Sequence, residues 1–142
     1  MAEALARYRL HQAGYDSAIT VRSAGTLDVY EGQPPAPLVI EVLHEHGADG
    51  TQQRPHQVTP DEIAQANVIF GVAHEHLDWV AQHYPEASAR TYLLTDLIGA
   101  AWDIDDPGMQ DLEPLRGCRD TIDRVITASL NTLIDRARGS AR

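Results

Sequence analysis

The chain has 142 residues and a mass of 15.6 kDa, which is the size of one domain. Its hydrophobic content of 43% and charged content of 23% are ordinary for a globular fold, and they exclude a disordered or fibrous chain. The net charge of −10 disfavours nucleic acid and anionic membrane surfaces as partners.

The first part of the chain predicts two helices and one strand. Good helix formers without a breaker predict a helix over 1–13 that ends at Gly14. The short β-branched run over 19–24 predicts a strand that ends at Gly25. A Gly- and Pro-rich loop follows, and apolar residues at helical spacing then predict a second helix over 37–46.

The middle of the chain contains a clear helix start and a buried strand. Thr59 is a candidate N-cap, Pro60 suits the first helical position, and Glu62 completes a capping box. The continuous apolar run over 68–72 is typical of a fully buried strand.

The last part predicts a helix over 74–84, a strand over 90–94 and one long amphipathic helix from Asp111 onward. The apolar stripe of that long helix is Leu115, Cys118, Ile122, Val125, Ser129 and Leu133. Strands that alternate with helices predict an α/β fold, in which a parallel sheet is covered by helices on both faces. Ligands bind such sheets at the carboxyl ends of the strands.

A series of segments, in order, resembles the low-molecular-weight protein-tyrosine phosphatase family over nearly the whole chain. They are MAEAL (1–5), VRSAGT (21–26), EGQPPAP (31–37), VLHEHGAD (42–49), RPHQVTPDEIAQANVIF (54–70), HEHL (74–77), YLL (92–94), DDPG (105–108) and CRDTI (118–122). The resemblance implies one three-layer αβα domain over 1–142 with a four-stranded parallel sheet. It also implies hydrolysis of phosphoprotein monoesters or small phosphomonoesters, without a cofactor.

In this family a C-x5-R-S-P motif directly precedes the segment that resembles MAEAL. Its backbone amides and arginine hold the phosphate oxygens, and its cysteine thiolate forms a phosphocysteine. The resemblance implies that this loop and the central first strand are missing ahead of Met1, so we expect the chain as it stands to be inactive and marginally stable. On this interpretation Met1 is either an internal methionine taken as a start or the N-terminus of a truncated gene, and the in-frame DNA ahead of Met1 distinguishes the two.

The resemblance also assigns roles to residues that are present. Asp106, before Pro107, matches the general acid that protonates the leaving oxygen and then activates water, with Asp105 as the fallback. Without the resemblance, Asp-Pro-Gly is a turn signal. Ser23 matches a serine whose hydroxyl supports the phosphate loop, although a serine at a strand end also satisfies local backbone groups.

Both walls of the implied substrate pocket depart from the family. Aromatic side chains are usual there, whereas this chain has Val29 and Tyr30 on one side and Gly108 and Met109 on the other. We therefore expect weaker aryl stacking, which leaves open whether phosphotyrosine or another phosphoester is the substrate.

The segment from Cys118 to Arg124 formally satisfies C-x5-R, but it falls in the predicted long helix. Six helical residues place the two side chains about 120° apart and roughly 9 Å along the axis, and the amides between them bond within the helix. Asp120 and Asp123 would raise the pKa of the thiol. We expect a buried, inert cysteine, and a single cysteine favours a reducing cytoplasm.

Two other functions remain open beside the enzyme. One is a non-catalytic phosphatase-like scaffold or binding protein. The other is an arsenate reductase, which the single cysteine disfavours because that chemistry needs further cysteines to resolve the arsenylated thiol. The seven histidines predict no metal site, because the pairs His44/His46 and His74/His76 face opposite sides of a helix and no HExxH motif occurs.

Overall fold

The computed structural model describes residues 1–139. In chain order these residues form α1 (Ala2–Gln12), α2 (Pro37–Glu45), α3 (Pro60–Gln65), β1 (Ile69–Gly71), α4 (His74–His83), a first 3-10 helix (Pro85–Arg90), β2 (Thr91–Leu93), a second 3-10 helix (Leu94–Ile98), α5 (Leu112–Ala128) and α6 (Leu130–Ala137). Within this part of the chain, every helix is too short or too polar to cross a bilayer.

Local signals fix the ends of several helices where the sequence predicts them. α1 is followed by Gly14 and α2 by Gly47, both with positive φ, at +80° and +86°. Such a left-handed residue ends a helix at little cost when it is glycine. α3 begins with a complete capping box between Thr59 and Glu62, with Pro60 as its first residue.

The sheet is parallel, as the alternation of strands and helices predicts. β1 pairs with β2 in a register that places Ile69 opposite Thr91 and Gly71 opposite Leu93. The connection runs through α4, which packs against both strands. Gly71 allows this close approach, because a Cβ at that position would lie 2.6 Å from Leu77 Cδ1 and 2.9 Å from His76 Cβ.

The strand predicted over 19–24 does not form. The described residues give this segment no ladder of main-chain hydrogen bonds, and only an isolated parallel bridge joins Gly25 to Gln57. In that bridge the Gly25 N–H donates to the His56 carbonyl at 2.8 Å, and the Val58 N–H donates to the Gly25 carbonyl at 2.9 Å. A β-branched run has the propensity for a strand, but it needs a neighbouring strand to become one.

The single long helix predicted from Asp111 onward is in fact two helices that meet at Ser129. The Ser129 hydroxyl donates to the Val125 carbonyl at 2.6 Å, and the residue has φ −118°. A serine that bonds back to the preceding turn competes with the helix and bends it. The predicted apolar stripe is nevertheless correct, because Leu115, Ile122 and Leu133 are buried.

The main core lies where α5 crosses α1 and α2. Ile126 and Val125 of α5 pack in one cluster with Leu5 of α1 and Leu43 of α2, and each is at most 2% exposed. A smaller cluster under α3 and α4 contains Ile63, Val80 and Ala87. Helix packing on both sides of the short sheet produces the three-layer arrangement.

A partly buried ion pair joins the same three helices. Arg9 of α1 donates two hydrogen bonds, of 2.6 and 2.7 Å, to the Asp123 carboxylate on α5. His46, at the end of α2, lies 2.8 Å from the same carboxylate. The Arg9 hydrogen bonds hold the pKa of Asp123 below its usual range, against the opposing effect of burial. The carboxylate is therefore charged and fully engaged.

Candidate functional site

A cleft of about 300 Å³ opens between the loop after residue 22 and the segment before α3. Among the residues with predicted roles, Ser23, Tyr30 and Met109 line it, so the structure brings three of them together. Its remaining lining residues are Ala24, Gly25, Leu27, Glu31, Pro35, Ala36, Val39, Gln53, Arg54, Pro55 and His56. Asp105, Asp106, Val29 and Gly108 are not among the lining residues.

The hydroxyl of Ser23 is engaged by α1. It donates a short hydrogen bond to Glu3 Oε2, and the other oxygen of Glu3 pairs with Arg7 at 2.6 Å. The Glu3 side chain is only 9% exposed, so this acceptor is held in place by its surroundings. The first turn of α1 therefore fixes the rotamer of Ser23 at the edge of the cleft.

Two basic side chains also line the cleft. Arg54 donates to the backbone carbonyls of Thr51 and Gln53, at 2.9 and 2.8 Å. His56 faces an acceptor at each ring nitrogen, the Arg54 carbonyl at 3.0 Å and Glu62 at 2.6 Å. The Arg54 carbonyl, and then the Glu62 carboxylate, raise the pKa of His56 above its usual value. The imidazolium form therefore fits this position best, and it leaves neither N–H free for a ligand.

Asp106 lies in an exposed turn between the second 3-10 helix and α5. Its Oδ1 accepts a hydrogen bond of 2.9 Å from the Gly108 N–H, and Gly108 has φ +68°. Within the described residues the second carboxylate oxygen has no hydrogen-bond partner. The Asp-Pro-Gly sequence thus forms a turn, and this turn presents one free carboxylate oxygen to solvent.

The segment that carries Asp106 is attached to the domain by main-chain contacts. The buried Thr95 hydroxyl donates to the Trp102 carbonyl at 2.8 Å, and the Ile104 N–H donates to the Val72 carbonyl, directly after β1, at 2.8 Å. The Ile104 side chain is 7% exposed and belongs to the main core. These contacts place the turn beside the carboxyl end of β1, where parallel sheets present ligand sites.

The four residues predicted as pocket walls divide into two pairs. Tyr30 and Met109 line the cleft, although they are 52% and 45% exposed. Val29 is 62% exposed and lies outside the lining. Gly108 contributes no side chain. The cleft therefore has one aromatic side chain, at Tyr30, and a flexible thioether at Met109.

Cys118 lies in the regular part of α5, where an anion-binding loop is impossible. It is partly buried, and its Sγ lies 3.9 Å from the Asp105 carbonyl. Burial raises the pKa of the thiol, with a further increase from Asp106 and a partial decrease from the Met1 amino group. Arg124 is exposed on a different face of the helix. With a raised pKa, the thiol is unlike an activated nucleophile. The sequence predicts a buried cysteine, whereas the structure buries Cys118 only in part.

Sequence reasoning did not find Glu3, Arg54 and His56 as residues of this region. Glu3 is 20 positions from the serine that it holds, so no local pattern links them. The capping box at Thr59 and Glu62 is the one local signal near His56. It predicts the start of a helix, but it does not predict that the Glu62 carboxylate also pairs with His56. Between residues 1 and 139, no three or more His, Cys, Asp or Glu side chains are arranged to hold a metal ion.

Comparison with known proteins identifies the family of the chain. The sequence pattern of the low molecular weight phosphotyrosine protein phosphatase family matches residues 1–138. A protein-arginine-phosphatase of Geobacillus stearothermophilus is 30% identical over 119 residues, which are 83% of this chain and 74% of that protein. A probable low molecular weight protein-tyrosine-phosphatase, EpsP, of Ralstonia solanacearum is 26% identical over 90% of this chain and 82% of its own length.

The fold matches as well. The crystal structure of the low molecular weight protein tyrosine phosphatase from T. tengcongensis superposes with a TM-score of 0.85. It is 23% identical to this chain, and the match covers 92% of this chain and 88% of that one. The family pattern, the relatives and the shared three-layer fold lead to one conclusion: the chain belongs to the low molecular weight phosphotyrosine protein phosphatase family.

Proposed function

We propose that this chain is the scaffold of a protein phosphatase, with Asp106 as its proton donor and acceptor. An exposed carboxylate with one unpaired oxygen, beside the carboxyl end of β1, suits a group that protonates a leaving oxygen and then activates water. Asp105 is the alternative donor, being the adjacent carboxylate. Ser23 has the role of holding a phosphate-binding loop: its hydroxyl donates to Glu3, and its oxygen can still accept a hydrogen bond from an N–H of such a loop.

We further propose that the 142-residue chain does not turn over substrate by itself. The observation that carries this proposal is the position of its single cysteine, Cys118, within α5. The backbone amides around Cys118 are bonded inside the helix, and the pKa of the thiol is raised by burial. A proton donor alone contributes at most about 10²–10⁴-fold even in a complete site, and it requires a nucleophile to assist.

Hydrolysis of an aryl phosphate, such as p-nitrophenyl phosphate, by the 142-residue chain tests this proposal. We expect a rate equal to the uncatalysed background for the native chain, for Asp106→Asn and for Cys118→Ser. Turnover well above background that is lost in Asp106→Asn would contradict the proposal. Turnover lost in Cys118→Ser would instead identify the helical cysteine as a nucleophile, and it too would contradict the proposal.

The substrate class is a phosphorylated protein side chain. One relative is named a protein-arginine-phosphatase and another a protein-tyrosine-phosphatase, so phosphoarginine and phosphotyrosine are both candidates. Tyr30 and Met109 stack on an aryl ring less well than two aromatic walls would. We therefore expect the cleft not to select phosphotyrosine strictly over phosphoarginine.

The second candidate function is a non-catalytic phosphatase-like binding protein in the cytoplasm. The observation in its favour is the same lone, helical cysteine. It differs from the first candidate in one measurable property. A binding protein would retain a phosphopeptide in the cleft without hydrolysis, so calorimetric binding of the peptide to the native chain would favour it. An arsenate reductase is a weaker candidate, because one cysteine cannot resolve an arsenylated thiol.

A further inference from the structure

A carboxylate three residues before Asp106 is attached to the start of α4. Oδ1 of Asp103 accepts a hydrogen bond of 2.9 Å from the His74 backbone N–H. The same oxygen lies 2.5 Å from Nδ1 of the His74 ring, which donates to it. Asp103 thus makes two contacts with His74, which lies 29 positions earlier in the chain.

The helix that receives this carboxylate has no cap of its own. The N-cap position of α4 is Ala73, which has no side-chain acceptor. The first N–H groups of a helix lack partners inside the helix, and they form the positive end of its dipole. Asp103 therefore supplies, from a distant segment, the side-chain acceptor that Ser, Thr, Asp or Asn usually provides at the N-cap itself. The His74 N–H, and then its ring, lower the pKa of Asp103, so the carboxylate remains charged at neutral pH.

The neighbouring contacts attach the same segment to the same turn of the domain. The Ile104 N–H donates to the Val72 carbonyl at 2.8 Å, and the Val72 N–H donates to His76 Nδ1 at 3.3 Å. The turn between β1 and α4 therefore holds the chain at two consecutive residues, Asp103 and Ile104. Both lie within three residues of Asp106, so their positions limit where its carboxylate can go.

We propose that Asp103 is a positioning residue, whose bond to the N-terminus of α4 fixes the segment that carries Asp106. This inference rests on the proposed role of Asp106 as proton donor. A proton donor acts only at hydrogen-bond distance from the leaving oxygen, and a displacement of about 1 Å costs on the order of 10²-fold in rate. Asp103 touches no reacting atom, and its effect passes through the backbone of Ile104 and Asp105.

Amide hydrogen exchange in the full chain tests the proposal, because it measures order without turnover. In Asp103→Ala the Ile104 and Gly108 amides are expected to exchange about fivefold faster relative to the Leu93 amide, which corresponds to about 1 kcal/mol for one lost capping bond. Neither amide contacts the Asp103 side chain, so a change in their exchange rates reports on the order of the segment that carries Asp106. Asp103→Asn retains the acceptor oxygen and is expected to restore slow exchange at both amides.

Asp111→Ala is the matched control. Asp111 lies at the N-cap of α5, is exposed, and makes no side-chain hydrogen bond to that helix. Asp111→Ala changes the net charge by the same amount as Asp103→Ala. It is expected to leave the exchange rates of the Ile104 and Gly108 amides unchanged.

Three results would overturn the proposal. Faster exchange only at the first amides of α4 would make Asp103 a helix cap without influence on the segment. Equal acceleration at Leu93 would indicate a loss of global stability, and failure of Asp103→Asn to restore protection would exclude the capping bond. Because no outcome depends on hydrolysis, failure of this inference is distinct from failure of the proposed function.

Discussion

At the residue scale, the candidate site consists of side chains whose partners are fixed by other segments. Ser23 is held by Glu3 of α1, and His56 is held by the Arg54 carbonyl and by Glu62 of α3. The main-chain carbonyl of His56 also accepts a hydrogen bond from the N–H of Gly25, which closely follows Ser23 in the chain. The edges of the cleft are therefore built from hydrogen-bonded groups.

The pH dependence of stability tests the charge on His56. Its pKa is raised in the folded protein by the Arg54 carbonyl and Glu62, so its contribution to the free energy of unfolding is fully present below about pH 6.5. That contribution is lost as pH rises through the raised pKa. We expect urea unfolding to show a larger difference between the native chain and His56→Gln at about pH 5.5 than at about pH 8.5.

His44→Gln is the control for this experiment. His44 lies on the exposed face of α2 and has no carboxylate partner among the described residues. Its substitution is expected to change the free energy of unfolding less than His56→Gln does at about pH 5.5. A pH-independent effect of His56→Gln would mean that folding leaves the pKa of the ring unchanged, and it would contradict the raised pKa.

At the element scale, helix ends are the most strongly specified features. α3 has only six residues, too few to be stable alone, and it depends on its cap and on the burial of Ile63. The Glu62 N–H donates to Thr59 Oγ1 at 3.3 Å, and Glu62 Oε2 accepts the Thr59 N–H at 2.9 Å. Because Glu62 also binds His56, the start of this helix supports one edge of the cleft.

Removing the cap of α3 is expected to destabilise the whole chain. Thr59→Ala should lower the free energy of unfolding by about 1 kcal/mol, because one helix N–H loses its acceptor. Thr59→Ser retains the hydroxyl and should remain within about 0.5 kcal/mol of the native chain. Urea midpoints measure both, and equal midpoints for the two variants would show that the capping bond contributes nothing.

At the scale of the whole molecule, the helices carry most of the packing. The two strands have three residues each, whereas α5 packs against α1 and α2 through the main core. The Arg9–Asp123 ion pair connects residues 114 positions apart at this same junction. Burial makes such a pair costly to break, because the remaining charge has no partner.

Breaking that pair is expected to be the most damaging polar substitution. Asp123→Asn should lower the free energy of unfolding by about 2 kcal/mol near neutral pH, because the partly buried Arg9 guanidinium loses its counter-charge. The pKa of Asp123 is lowered mainly by Arg9, so the difference from the native chain is full above about pH 4 and declines as pH falls through that lowered pKa.

Asp120→Asn provides the comparison on the same helix. Asp120 pairs with Arg119 at 2.8 Å, but its side chain is 49% exposed. Such a surface pair is worth less than about 1 kcal/mol. Equal losses in the Asp120 and Asp123 variants, measured by urea unfolding, would contradict a special role for the buried pair.

The sequence by itself determined what depends on neighbours within a few residues. Gly14 and Gly47 end helices because only a residue without a side chain adopts positive φ freely, and the Thr59 capping box starts one. The α/β class and the parallel sheet also followed from the order of its segments. The exposed Asp-Pro-Gly turn at Asp106 belongs with these local features.

Only the tertiary structure decided the contacts between distant segments. The run over 19–24 has strand propensity but forms no strand, because pairing requires a neighbour that local sequence cannot specify. The bonds from Ser23 to Glu3 and from Asp103 to His74 depend on how the helices pack against the sheet. Propensities act over one or two turns, whereas the geometry of this site is set by side chains that packing brings together from 20 or more positions apart.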